Sequence, residues 1–289
     1  MTPDGPDREI GDEFGVEQVW LDDVVVELVA CWRCGKPKEA DAVCPMCGAG
    51  DRPRPKGESR KPARREAHRD SKGASRLLII YAALLASSVV FGWLIHFGLD
   101  PNVVNDVASA NKQLMLMLTI EGVFSVLVLI GLVWVPRPLP QPAVSMGRRV
   151  AAWLASPLML GVALAVNFGY HRILLDLMGI TSIEDKLVAQ CGLSVPLLLA
   201  YCGQPAIFEE LFFRHLALGS LRNVTGVHGA VFASSIMFGM CHIGVPMSIP
   251  ILTVVGVVFG YARVWSGGLA LPMLLHFTHN LAVILYHGG

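Results

Sequence analysis

The chain has 289 residues, 53% of them hydrophobic and only 16% charged, with a mean hydropathy of +0.54. Soluble chains run about 45–50% apolar and about 25% charged, so an ordinary soluble enzyme and a disordered protein are both excluded. Lys+Arg and Asp+Glu balance at 23 each, and no segment carries a basic face with base-stacking aromatics, which argues against nucleic acid as a partner. The charges are unevenly spread. Residues 1–76 hold 14 Lys+Arg and 15 Asp+Glu, whereas residues 77–289 hold 9 and 8. This pattern predicts a charged head followed by a part that lives in a bilayer.

Residues 1–50 form the first predicted unit. It is acidic at its start, carries a short apolar patch from Val24 to Val29 that reads as one strand, and then two cysteine pairs, Cys31-Trp-Arg-Cys34 and Cys44-Pro-Met-Cys47. A CxxC pair lets two thiolates reach one tetrahedral ion from a tight knuckle, and Gly35 and Gly48 follow the pairs where a turn needs positive φ. Two such knuckles read as a small zinc ribbon at 31–48 with a structural zinc ion. The acidic N-terminus has no apolar signal region, which argues against disulfides, and there is no βαβ context for a redox pair. With four sulfur ligands the ion has no open position, so the module folds and docks rather than catalyses. A cytosolic protein partner is the expected use.

Residues 51–76 hold ten Lys+Arg with Pro and Gly interspersed. That composition predicts a solvated basic linker. Directly before an apolar run it also marks the cytoplasmic side, so the head and N-terminus are expected in the cytosol.

The third predicted unit, 77–289, is a transmembrane domain. Apolar runs near 77–98, 114–135, 150–170, 190–218, 229–247, 249–265 and 268–287 are each close to the roughly 20 residues that cross a bilayer core. The expected fold is therefore an all-α, multi-pass integral membrane protein of about seven helices behind a small zinc ribbon. Charges inside such runs are costly and tend to face the protein interior. Glu121 stands alone on the second run and reads as a packing residue. His96, His171, His228 and His287 lie near run ends, where interfacial packing accounts for them.

The remaining polar residues cluster. Glu210 and Arg214 stand at i and i+4 on one helical face, where an ion pair lowers the cost of carrying both charges in lipid. Glu209, about 100° around the helix, is left to point elsewhere. Phe238 and His242 follow on the fifth run, His276 and Asn280 on the seventh. Three helices thus bring a carboxylate, two imidazoles and an amide to similar depth. That convergence favours a catalytic site over unrelated residues satisfied by interhelical hydrogen bonds.

Glu209-Glu210-xxx-Arg214, Phe238-xxx-His242 and His276-xxx-Asn280, in that order, resemble the motifs of the CPBP family of intramembrane proteases, which includes the type II CAAX prenyl endopeptidases. The resemblance extends through Pro205–Arg214 and through Gly260–Leu269, and covers roughly residues 190–285. It departs at His215, where the family usually has glycine. The resemblance implies an intramembrane endopeptidase acting on a membrane-associated or lipidated protein or peptide. Glu209, assisted by His242, would activate water, His276 and Asn280 would stabilise the oxyanion, and Glu210 and Arg214 would brace the helix.

Spacing leaves a second version open, in which Glu209, His242 and His276 are three ligands of a catalytic zinc; the resemblance favours the metal-free one. Other protease classes lack support: the sequence has no HExxH, no GxSxG and no Gly-x-Gly-Asp within a span. A non-catalytic membrane scaffold with the same fold is the competing function. A transporter would need paired broken helices, hinted at only by Pro196 and Pro205.

Overall fold

A computed structural model describes residues 17–21, 24–30, 36–39, 61–98, 107–136, 144–178, 188–190 and 192–287. The chain divides into two units, Met1–Ala63 and Arg64–Gly289. The four ribbon cysteines lie outside the described residues, which include only 36–39 of the segment 31–48. In the first unit β1 (Glu17–Leu21), β2 (Val24–Ala30) and β3 (Pro37–Glu39) form an antiparallel sheet in the order β1-β2-β3. Val24 pairs with Leu21 and Ala30 with Pro37, so β2 is the central strand, and it carries the Val24–Val29 patch.

The second unit is helical. Helix α1 (Lys61–Gly98) begins inside the segment read as a linker. The local sequence Lys-Pro-Ala-Arg-Arg-Glu-Ala explains this: Pro62 suits a first turn, and Ala, Arg and Glu are strong helix formers. Helix α2 (Val107–Trp134) follows. Next come α3 (Met146–Leu154) and α4 (Ser156–Met178), bent by 43° at their junction. The bend has a cause in Pro157, which has no N–H to give to the Trp153 carbonyl. That carbonyl instead accepts the Ser156 hydroxyl at 2.7 Å.

The chain then runs through α5 (Val195–Leu198), a π-helical segment π1 (Leu199–Gly203), α6 (Gln204–Glu210), a second π segment π2 (Leu211–Ala217) and α7 (Leu218–Met240). Gly226, at φ 70°, breaks α7 internally. Helices α8 (Ile249–Ser266) and α9 (Ala270–His287) complete the unit.

By length and composition, three helical stretches are able to cross a membrane among the described residues: Lys72–Leu94, Val107–Trp134 and Pro246–Ser266. The α3–α4 pair makes a fourth if it is one bent span. This is fewer than the seven expected from hydropathy. Val224–Met240 and Ala270–Tyr286 are apolar but shorter, and the run 190–218 is divided into α and π pieces. Hydropathy counted straight through helix ends, as at Met240, where the apolar run continues into turns.

Large apolar side chains cover the outer faces of the long helices, with Leu78 58%, Trp93 60% and Val133 89% exposed. Such surfaces suit lipid rather than water. Inside, Leu77, Ile80 and Leu84 of α1 and Phe124 and Val128 of α2 pack against Phe212, Phe213 and Phe238. A second cluster joins Met159 and Ala163 of α4 to Val255 and Phe259 of α8 and Leu271 and Leu275 of α9.

Helices α7 and α8 approach closely through small residues. A Cβ on Gly256 would stand 3.1 Å from Ser235 Cβ and 3.2 Å from Phe238 Cδ1, and one on Gly260 would stand 2.8 Å from Val231 Cγ1. A Gly-xxx-Gly spacing allows this approach in an apolar medium, where packing rather than hydrophobicity drives association. It presents Phe238, and one turn on His242, to the centre of the unit.

Candidate active site

The site is built on a stretch in which helical geometry changes twice. Pro205 has no N–H for the carbonyl four residues back, that of Tyr201, which lies in π1. Asn280 Nδ2 donates to this carbonyl at 2.7 Å, tying α9 to the start of the site. π-helical turns are rare and occur frequently at functional sites. Here π1 and π2 bracket α6, whose last two residues are Glu209 and Glu210, both buried.

The predicted Glu210–Arg214 pair is present: Arg214 Nε lies 3.2 Å from Glu210 Oε2, with both side chains almost wholly buried. Arg214 also donates from Nη2 to the Gly256 carbonyl at 3.1 Å. Its guanidinium stands 4.6 Å from the Phe238 ring centroid and 5.6 Å from that of Phe259. An ion pair, a backbone acceptor and aromatic faces together offset the desolvation of a cation that water cannot reach.

Glu210 has a second partner. His276 Nδ1 lies 2.9 Å from Glu210 Oε1. A carboxylate accepts, so Nδ1 carries the proton and Nε2 faces the other way. Glu209 is on that side, with Oε2 3.7 Å from His276 Nε2. Glu209, Glu210, Arg214 and His276 therefore form one connected cluster from α6, π2 and α9. Its charges close when Glu209 and His276 share one proton: the Glu210–Arg214 pair is neutral, and so is Glu209–His276.

His242 joins through an aromatic wall. Phe238 stands with its ring centroid 5.2 Å from that of His242 and 5.8 Å from that of His276. His242 Nδ1 lies 3.0 Å from the Phe238 carbonyl, which can only accept, so Nδ1 is protonated and Nε2 is left as an acceptor. Asn280, besides its bond to Tyr201, offers Oδ1 to His279 Nδ1 at 3.1 Å. One amide hydrogen of Asn280 remains for another acceptor. Among the described residues, no three His, Cys, Asp or Glu side chains are grouped so as to hold a metal ion.

Four participants carry no role in the site as read from the sequence. Glu121 of α2, read as a solitary packing residue, has its carboxyl within electrostatic reach of Glu209. Gln204 holds the two helices together, donating from Nε2 to the Glu121 carbonyl and to Ser125 Oγ, both at 2.8 Å. Phe259 closes the far side, 5.1 Å from the His276 ring. His279 is buried and braces Asn280. The signal for Glu121 was its cost in an apolar run; what was missing was the partner, 88 positions away in the sequence.

All six predicted catalytic residues fall within residues 192–282, and that segment matches a known family model. The segment is similar to the family described as Type II CAAX prenyl endopeptidase Rce1-like. The similarity covers the α5–α9 stretch and supports an integral membrane protein of the CAAX protease kind. No curated protein and no solved structure matches the chain.

Proposed function

We propose that this protein is an intramembrane endopeptidase that hydrolyses a peptide bond of a membrane-associated, lipid-modified protein or peptide. The observation that carries the reading is the Glu209–His276 approach of 3.7 Å, backed on the far nitrogen of His276 by Glu210. In this scheme water attacks the scissile carbonyl as Glu209 removes its proton, with His242 Nε2 accepting the second water hydrogen in a hydrogen bond. The oxyanion forms beside His276 Nε2–H and the free amide hydrogen of Asn280. Donation from Nε2 requires a doubly protonated His276, and Glu210 supplies the neighbouring negative charge for it. Collapse of the tetrahedral intermediate releases the amine, which takes the proton held by Glu209, so one water is added across the bond. Glu210 and Arg214 position these groups without touching substrate.

The similarity of residues 192–282 to a prenyl endopeptidase family supports a prenylated substrate in particular. Membrane peptidomics of cells carrying wild type or Glu209→Ala tests this. Uncleaved lipid-modified precursors should accumulate with the variant. Identical peptide profiles would favour a scaffold that holds a partner without cutting it.

The cysteine pairs of the head are proposed to bind one structural zinc per chain, in a module that faces the cytosol and docks a protein partner.

A further inference from the structure

A second group of cations lies apart from the Glu210–Arg214 pair. Arg263, three residues before the end of α8, is only 9% exposed. Its Nε and Nη1 are both buried without a hydrogen-bond partner among the described residues. Guanidinium nitrogens buried without an acceptor are costly. The groups within its electrostatic reach make matters worse, because they are basic: Arg222 of α7 and His215 of π2. Within positions 188–287, the stretch that carries these three cations, Glu209 and Glu210 are the only acidic residues. Both are engaged with Arg214 and His276.

The surroundings indicate which anion fits. Helix α8 ends just beyond Arg263, at Gly267, whose φ of 69° lets its N–H return to the Arg263 carbonyl at 3.1 Å. A Cβ on Gly267 would stand 3.7 Å from Arg149 Nε, so the basic start of α3 is at the same end of the unit. On the same turns of α8, Tyr261 and Trp265 lie with ring centroids 5.4 Å apart. Trp265 is 43% exposed, and Tyr261 Oη is 2.7 Å from His228 Nδ1. Aromatic residues mixed with arginines at helix ends mark the headgroup level of a bilayer. Basic pockets between helices at that level bind phosphate headgroups.

We infer that Arg263, Arg222 and His215 form a binding site for the phosphate of an anionic glycerophospholipid, at the end of the bundle where α8 terminates. The bound phosphate would supply the countercharge that Arg263 lacks among its basic neighbours. It would also bridge π2, α7 and α8, and so bear on the helix that carries Arg214. His215 takes a role here that a glycine at the same position could not.

The test titrates the purified full chain in neutral detergent with short-chain phosphatidylglycerol, with phosphatidylcholine of equal chain length, and with inorganic phosphate. The unfolding midpoint is the readout. Phosphatidylglycerol should raise the midpoint by several degrees, as a ligand of the native state does. Arg263→Gln and Arg222→Gln should each require about tenfold more lipid for the same shift, the loss expected for one charge-assisted hydrogen bond. Arg172→Gln, at an exposed pair with Asp176, should titrate like wild type. Should Arg263→Gln fail to fold, Arg222→Gln decides. Equal shifts with phosphatidylcholine, unchanged titrations of the foldable Arg222 and Arg263 variants, or a full shift from inorganic phosphate alone would each overturn the lipid assignment.

Discussion

His276 and Glu210 are joined by a 2.9 Å contact between Nδ1 and Oε1, while the other oxygen of the same carboxylate faces Arg214 at 3.2 Å. Glu210 is thus the shared anion between a structural cation and a proposed catalytic imidazole. Its two partners come from π2 and α9, 62 positions apart.

That double role predicts separable effects. Glu210→Gln leaves Arg214 buried opposite a neutral amide, and breaking a buried pair costs about 3–5 kcal/mol. The thermal midpoint in detergent should fall accordingly, and activity with it. Arg214→Lys keeps the charge but cannot reach both Glu210 and the Gly256 carbonyl in the fork geometry of arginine, so it should restore only part of the stability.

At the junction of π1 and α9, Asn280→Ala removes the donor that satisfies the Tyr201 carbonyl, the one Pro205 cannot serve. Losing a hydrogen bond of this kind costs about 0.5–1.5 kcal/mol. Asn280→Ala should therefore lower both the unfolding midpoint and kcat. Pro205→Ala in the same background offers an N–H to Tyr201 and should recover part of the midpoint without recovering kcat, which separates the two roles of Asn280.

Much of this arrangement was legible in the sequence, for a physical reason. Charges in apolar runs are expensive, so Glu209, Glu210 and Arg214 stood out, and the i, i+4 spacing gave their ion pair directly. The apolar patch Val24–Val29 marked β2 by the same kind of local rule. What could not be read was who meets whom across helices. The Glu210–His276 contact, the approach of Glu121 to Glu209 and the unpaired Arg263 depend on packing that hydropathy does not encode. The π turns around α6 were also hidden, because Pro205 announces a missing N–H but not how the helix absorbs it. Span lengths were overcounted where apolar sequence continues past a helix end, as after Met240.

Helix packing at Gly256 gives a further expectation. Gly256→Val would place a branched side chain against Ser235 and Phe238, whose atoms already stand 3.1 and 3.2 Å from a Cβ there. Overpacking of this kind costs about 1–3 kcal/mol. Because Phe238 separates His242 from His276, kcat should drop further than the stability loss accounts for, measured on protein that remains folded.

Metal content addresses the head and the site together. Wild type should carry about one zinc per chain, and replacing Cys31, Cys34, Cys44 and Cys47 with serine should remove it, as expected for a four-cysteine structural site. An ion that persists in the serine variant would place metal at Glu209, His242 and His276 instead.

Glu209 is proposed to activate water. The most direct test is the cleavage rate of a prenylated reporter peptide by the full chain in proteoliposomes, comparing wild type with Glu209→Gln at matched folded fraction. Loss of a general base lowers rates by about 10²–10⁴-fold, so a fall of at least about 100-fold is predicted, with the unfolding midpoint largely kept. Cleavage by Glu209→Gln within about twofold of wild type would contradict the account.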